Sequence, residues 1–132
     1  MTIGGVDPAE VGPLPPTVQV APWFPQLAVL REASAFLTHS GMNSTMEALY
    51  YGVPMLTFPQ MPEQAVNADR VAVLGLGQPL DPQAVTAEAL CSAVEGLTSS
   101  PDIRANLDRM QVEVRSTGGV DAGAHAIEEY LA

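Results

Sequence analysis

The stretch from His39 to Glu47, rich in small and polar residues, stands between two short apolar runs, an order typical of a strand, a loop and a helix. Gly41 permits a tight turn and the close approach of a ligand, and Asn43 or Ser44 can cap the helix that follows. The unpaired N–H groups and the dipole of the first helical turn would then face outward beyond the strand end. Such a helix start favours a bound phosphate.

A carboxylate follows this helix start at helical spacing. Glu47 lies four residues after Asn43 and three after Ser44, which places the three side chains on one helical face. Its oxygens can accept hydrogen bonds from sugar hydroxyl groups beside a bound phosphate. The spacing therefore indicates a nucleoside diphosphate as the ligand. In the structural alternative, Asn43 or Ser44 only caps the helix and Glu47 only faces solvent.

Apolar runs and capping residues predict alternating strands and helices along most of the chain. The alternation indicates a parallel sheet with crossover helices, because parallel strands need long connections. Residues 6–17 are rich in Pro and Gly and are predicted to form a loop. The predicted strands are 18–20, 35–38, 55–58 and 76–80, and the predicted helices are 25–31, 44–51, 63–74, 87–97 after a Thr86 cap, 101–115 and 120–131.

Charge and composition argue against several classes of partner. The 132 residues carry a net charge of -10, with fifteen acidic residues against five arginines and no lysine. Without a basic stripe, we expect neither a nucleic-acid nor a membrane partner.

The chain contains one cysteine, Cys91, which fits a reducing compartment. With neither a membrane-length apolar run nor a basic signal-peptide head, we expect a cytoplasmic protein with one hydrophobic core.

Motifs for metal, dinucleotide and nucleophile chemistry are missing from the sequence. It holds no His pair at i, i+4, no Cys pair and no Asp-x-Asp, so we expect no metal and no other cofactor. A Walker loop requires a lysine, and the dinucleotide fingerprint requires three glycines at fixed spacing. The serines near His39 lack the Gly-x-Ser-x-Gly elbow of a hydrolase nucleophile.

Several short motifs occur together in a specific order, and together they resemble the donor-binding signature of UDP-dependent glycosyltransferases with a GT-B fold. Within that family the chain most resembles the bacterial macrolide glycosyltransferases, over nearly all of its length. The resemblance implies the C-terminal half of a GT-B fold, an incomplete doubly wound, Rossmann-like α/β parallel sheet with flanking helices. The motifs are Trp23-Phe24-Pro25-Gln26, the block from His39 to Glu47, Gly52-Val53-Pro54, Pro59 and Glu63-Gln64.

This resemblance implies roles on the base and the ribose for four residues. Trp23 would stack on the uracil, and the Phe24 backbone would hydrogen-bond the base edge. Gln26 and Glu47 would bind the ribose hydroxyls. A flat indole suits its role, because stacking contributes about 1–3 kcal/mol per base. The ordinary alternative for a lone tryptophan is a partly buried packing residue.

The resemblance also implies roles on the diphosphate and the transferred sugar. His39 and the turn that follows it would hold the diphosphate, and His39 would stabilise the charge on the leaving group. Glu63 and Gln64 would hydrogen-bond the hydroxyls of the sugar. The ordinary alternatives are a surface histidine and the acidic start of a helix. The residues of the turn are Gly41, Met42, Asn43 and Ser44.

The activity that the resemblance implies is inverting transfer of a hexose, with glucose as the family default, from a UDP-sugar to a small hydrophobic acceptor such as a macrolide. In the family, the general base is a histidine paired with an aspartate in an N-terminal acceptor domain. That domain and the first strand of the donor domain are absent from residues 1–132, so we expect one donor-binding domain that holds no catalytic base and is inactive alone. Because a missing strand would be central in the order 3-2-1-4-5-6, we also expect self-association, strand rearrangement or weak stability unless another chain fills the gap.

Two other classes of function stay open. The chain could be the donor-binding subunit of a two-chain transferase, similar to the split enzymes of the dolichol pathway. It could instead be a non-catalytic module that binds a UDP-sugar. The remaining histidine, His125, and the five arginines lie outside the motifs, and we predict surface positions for them.

Overall fold

A parallel sheet of three strands forms the centre of the larger part of the protein. Its strands, in spatial order, are β1 (Phe36–Thr38), β2 (Met55–Thr57) and β3 (Gly77–Pro79). The computed structural model describes residues 1–131 as two units, Met1–Glu32 and a second unit that begins at Ala33. Leu56 of the central strand pairs with Leu37 of β1 and with Gln78 of β3.

Helices connect the strands and complete the α/β architecture that the alternation of patterns predicts. The crossover helices are α2 (Met42–Tyr51) and α3 (Pro62–Val73), and the helices that follow the sheet are α4 (Ala87–Ser99), α5 (Pro101–Ser116) and α6 (Gly119–Leu131). Their bounds agree with the sequence prediction to within two residues. The prediction of a parallel sheet with flanking helices is therefore confirmed.

The first unit contains less regular structure than its sequence predicts. Its only helix within the described residues longer than one turn is α1 (Gln26–Glu32), and Pro8–Val11 form a 3-10 turn inside the predicted loop. The predicted strand 18–20 is wrong. An isolated parallel bridge joins Thr2 to Ala21 instead, with the Ala21 carbonyl accepting from Ile3 N at 3.1 Å. The prolines near this segment lack the N–H groups that a longer ladder needs.

The core of the second unit is built around the central strand. Met55, Leu56 and Thr57 are all buried, as expected for a parallel strand covered on both faces. Leu56 packs with Leu80 and Leu97 in one buried cluster. Half-buried side chains from α4, α5 and the end of β2 surround this cluster, namely Phe58, Leu90, Ala93, Val94 and Ile103.

Capping residues fix where several helices begin and end. The Thr86 hydroxyl accepts from Ala89 N at 3.1 Å, which confirms the predicted cap of α4. Ser100 caps α5 in the same way, accepting from Ile103 N at 3.3 Å. Gly52 ends α2 with a φ of 68°, a left-handed conformation that glycine adopts without a steric penalty.

Side chains from α5 hold the C-terminal end of α2. Arg104 Nη2 donates to the Gly52 carbonyl at 2.7 Å, and Arg115 Nε donates to the Tyr50 carbonyl at 2.9 Å. The Arg115 guanidinium also lies 4.9 Å from the centre of the Tyr50 ring. Cations at this end of a helix interact favourably with its dipole. These two arginines are exposed as predicted, but they also orient the helix whose other end carries the candidate site.

The part of the chain that the structure describes shows no helix with the length and apolar character of a membrane span. None of the described side chains of α6 is buried. His125 lies on this helix, 3.3 Å from the Glu129 carboxylate, with both side chains exposed. The predicted surface position of His125 is confirmed.

Candidate functional site

The turn between β1 and α2 lies at the carboxyl edge of the sheet, where open α/β sheets bind ligands. Thr38 ends β1, and its carbonyl accepts from Phe58 N of the neighbouring connection at 2.8 Å. The turn and the loop before α3 therefore start side by side at this edge. Within the turn, Ser40 is fully buried and has a φ of 65°. A residue with a β carbon in such a sparsely populated conformation stores roughly 1–3 kcal/mol of strain.

Two hydrogen bonds hold Ser40 in this conformation. Its N–H donates to the Thr38 hydroxyl at 3.1 Å, and its carbonyl accepts from Asn67 Nδ2 on α3 at 2.9 Å. The sequence analysis did not select Asn67. The available signal was a polar side chain at the position next to Ala68 and four residues before Val71, on the face that α3 buries.

The backbone of Gly41 differs from the one predicted. Its φ of −60° and ψ of 143° are open to any residue, so the unusual backbone of the turn lies at Ser40 and the predicted need for backbone freedom at Gly41 is wrong. The close approach of a ligand at Gly41 stays a prediction. The lack of space for a side chain explains why position 41 is a glycine. A β carbon at Gly41 would lie 2.6 Å from His39 Nε2, so the imidazole packs directly over the start of α2.

The predicted capping of α2 by Asn43 or Ser44 is also wrong. Helix α2 begins at Met42, and its N-cap is Gly41, which has no side chain to form a capping hydrogen bond. The first helical hydrogen bond runs from Thr45 N to the Gly41 carbonyl at 3.0 Å. The N–H groups of Met42 and Asn43 precede that bond, so they point outward from the helix end. A helix start with such N–H groups favours a bound anion.

Two buried hydroxyl groups lie at this helix start. Ser40 Oγ and Thr45 Oγ1 have no hydrogen-bond partner among residues 1–131. Most buried polar side chains in proteins do have a partner, so such atoms are uncommon. Here they flank a turn that is already strained at Ser40.

The side chains expected to contact a ligand differ in exposure. His39, Met42 and Asn43 are exposed, whereas Ser44 and Glu47 are half-buried. Glu47 follows Asn43 by four residues within α2, so the shared helical face is confirmed. An accessible imidazole, two outward N–H groups and a carboxylate one turn later therefore surround the same end of α2.

The start of α3 carries Glu63 and Gln64. Helix α3 begins at Pro62, and Glu63 is exposed in its first turn. The Gln64 side-chain oxygen accepts from Gln60 N at 2.9 Å, which orders the loop before the helix. Its amide N–H2 group is then the donor suited to a ligand hydroxyl. The bond from Asn67 to Ser40 joins this helix to the turn after β1.

The first unit carries the three residues with predicted roles on the base and the ribose. Trp23 is 73% exposed, which contradicts the alternative in which it is a packing residue. Phe24 is half-buried, and Gln26 is the first residue of α1.

Among the residues that the structure describes, no group of three His, Cys, Asp or Glu side chains could hold a metal ion.

Solved glycosyltransferases share this fold. The calicheamicin glycosyltransferase CalG4 is similar over 99% of this chain and 34% of its own, with a TM-score of 0.95 and 41% identity. The glycosyltransferase VinC, solved in complex with DTDP, is similar over 82% of this chain and 27% of its own, with a TM-score of 0.74 and 28% identity. The fold and the edge site therefore define the C-terminal half of a GT-B glycosyltransferase fold, as the motifs predict.

The chain belongs to the family of erythromycin biosynthesis protein CIII-like proteins, through their C-terminal domain, which matches residues 2–121. NDP-glycosyltransferase YjiC of Bacillus licheniformis is 41% identical over 96% of this chain and 32% of its own length. Oleandomycin glycosyltransferase of Streptomyces antibioticus is 39% identical over 96% of this chain and 29% of its own length. The chain thus spans about a third of the length of these relatives.

Proposed function

We propose that this chain is the nucleotide-sugar-binding part of an inverting glycosyltransferase that moves a hexose from a UDP-sugar to a small hydrophobic acceptor. The observation that carries the proposal is the turn after β1, where a held Ser40 leads into a helix start with outward N–H groups. We take glucose as the hexose and a macrolide as the acceptor, following the family. Residues 1–132 would act as a single donor-binding domain.

The diphosphate would bind at the start of α2. The N–H groups of Met42 and Asn43, the α2 dipole and the His39 imidazole over Gly41 all favour negative charge at the same place. The net charge of -10 makes this local arrangement necessary, because the chain as a whole repels an anion. As the bond to the sugar breaks, the same groups would stabilise the charge gathering on the departing diphosphate. We therefore propose that neither a metal nor another cofactor takes part.

The ribose and the base would distinguish between nucleotides. Glu47 and Gln26 would accept hydrogen bonds from the ribose hydroxyls, and the exposed Trp23 indole would stack on the base. VinC was solved with DTDP, whose sugar lacks the 2′ hydroxyl. We favour UDP for this chain because a carboxylate at Glu47 suits a pair of hydroxyls. Glu63 and the Gln64 amide would bind the hydroxyls of the transferred hexose.

The general base would come from an acceptor domain of the whole protein, as in the family. Binding of the donor and transfer of the sugar would then depend on different parts of the protein. We expect residues 1–132 alone to bind the donor without transferring its sugar.

Calorimetric titration with UDP, UDP-glucose, deoxythymidine diphosphate and NAD tests the proposal. We expect UDP and UDP-glucose to bind more tightly than the other two nucleotides. Glu47→Ala should reduce the preference for UDP over deoxythymidine diphosphate about tenfold, because the variant loses one charge-assisted hydrogen bond. Glu113→Ala, which removes an exposed carboxylate from α5, is the control. An equal response to all four nucleotides would overturn the assignment to UDP.

A further inference from the structure

A hydrogen bond from α3 to Ser40 holds the turn that leads into α2. The residue is 0% exposed, and its φ of 65° is unusual for a residue with a side chain. Such a conformation persists only when the surrounding structure determines it. The hydroxyl of Thr38, the last residue of β1, fixes the N–H of Ser40 from two residues away, whereas Asn67 fixes the carbonyl from 27 residues away.

We propose that Asn67 is a positioning residue for the diphosphate turn. Its amide N–H holds the Ser40 carbonyl at 2.9 Å and so sets the direction in which the following N–H groups, of Met42 and Asn43, leave the helix start. The inference rests on the proposed function, in which those groups bind the diphosphate. Asn67 does not contact the ligand in this role and acts through Ser40.

The same bond joins the two parts of the donor site that the second unit contains. Asn67 lies four residues after Glu63 and three after Gln64 on α3, so the helix that would bind the hexose is tied to the turn that would bind the diphosphate. Asn67 is half-buried at the margin of the α3 face formed by Ala68 and Val71, where water competes less for its hydrogen bond. Its loss would loosen both subsites together.

A second asparagine provides a matched control. Asn106 Nδ2 on α5 donates to the Gly75 carbonyl at 3.2 Å, and Gly75 is also left-handed, with a φ of 64°. Both asparagines therefore bond from a helix to the carbonyl of a left-handed residue. Gly75 follows the end of α3, away from the turn after β1.

The test compares Asn67→Leu with Asn106→Leu in three measurements: thermal unfolding, amide chemical shifts of residues 41–43 in the free chain, and UDP affinity by calorimetry. We expect both variants to lower the unfolding midpoint by similar amounts. Only Asn67→Leu should change the amide chemical shifts of the turn and lower the affinity for UDP about tenfold, because only the bond from Asn67 to Ser40 orients the turn. Asn67→Asp, which keeps the volume but removes the N–H donor, should behave in the same way if the leucine variant does not fold.

Rescue at Ser40 separates positioning from general stability. Glycine adopts a left-handed backbone without a steric penalty. Ser40→Gly in the Asn67→Leu background should therefore recover most of the UDP affinity, whereas a purely structural role for Asn67 predicts no recovery.

The outcomes distinguish this inference from the proposed function. Wild-type chain that binds UDP, together with an Asn67→Leu variant that keeps its affinity and its turn shifts, would overturn the inference and leave the proposed function standing. Wild-type chain that binds none of the nucleotides would overturn the proposed function and the diphosphate role of Asn67. The shifts of residues 41–43 would then still decide whether Asn67 holds the turn.

Discussion

Ser40 and Gly41 meet different structural requirements of the turn after β1. Ser40 takes the left-handed backbone and is held by Thr38 and Asn67, while Gly41 provides the space that the His39 imidazole occupies. The two adjacent residues are therefore not interchangeable. A hydrogen bond across 27 residues helps to hold the backbone of Ser40, and a steric contact across two residues explains the glycine at position 41.

At the residue scale, we expect Gly41→Ala to displace the His39 side chain. The new β carbon would lie 2.6 Å from Nε2, a separation that forces one group to move. If the imidazole binds the diphosphate over the helix start, UDP affinity should fall about tenfold, the effect of one charge-assisted hydrogen bond. Calorimetry measures this change. A Gly123→Ala variant is the control, because a β carbon there meets open space.

Trp23 allows a second prediction at this scale. We expect Trp23→Ala to weaken UDP by about 1–3 kcal/mol, the contribution of one aromatic stacking partner, without lowering the unfolding midpoint, since the side chain is 73% exposed. Tyr130→Ala removes another exposed aromatic ring, 90% accessible, and should leave UDP affinity unchanged. Equal affinities of the Trp23 variant and the wild-type chain would contradict the stacking role.

At the scale of the elements, α2 is held at both ends by residues from other helices. Its N-terminal turn is tied to α3 through Asn67, and its C-terminal carbonyls accept from Arg104 and Arg115 on α5. A helix that presents its first turn to a ligand needs a fixed axis. The contacts from α5 supply this support at the opposite end from the site.

We expect Arg115→Gln to destabilise the fold by about 0.5–1.5 kcal/mol, because it removes a hydrogen bond to the Tyr50 carbonyl and the contact with the Tyr50 ring. Chemical denaturation measures the change. The control is Arg31→Gln, since Arg31 pairs only with its exposed neighbour Glu32 among the residues described, and such pairs contribute little. Equal stability of the two variants would contradict the support of α2 by α5.

At the scale of the whole molecule, β1 is the strand at which we expect the predicted self-association. Within residues 1–131, β1 is an outer strand of the sheet, and Leu37 in its middle is 51% exposed. Alternate residues of an outer parallel strand present unpaired backbone groups, which can template pairing with another chain. Self-association stays a prediction, and β1 is the strand at which a test of it should act.

We expect the chain to associate in a concentration-dependent way, and Leu37→Lys to shift it toward the monomer, because a lysine on an outer strand opposes pairing. Sedimentation over a range of concentrations measures this. Val73→Lys, at another exposed apolar position on α3 (77% accessible), should leave the association unchanged. A stable monomer of the wild-type chain with cooperative unfolding would contradict the prediction.

Local patterns in the sequence determined the order and type of most elements. Apolar runs located all three strands of the sheet, and Thr86 marked the start of α4 to the residue. These features depend on interactions within a few residues, so they can be read from the chain without its fold. The same local reasoning predicted strand 18–20, which is wrong because a strand also requires a partner to pair with.

Only the tertiary structure decided how the turn after β1 is held. Ser40 rather than Gly41 has the left-handed backbone, and Gly41 rather than Asn43 or Ser44 is the N-cap of α2. The physical reason is that the strain at Ser40 is balanced by Asn67 on another helix, a contact that neither periodicity nor capping preference contains. The sequence determined which residues reach the carboxyl edge of the sheet, and contacts between distant segments determined their conformation there.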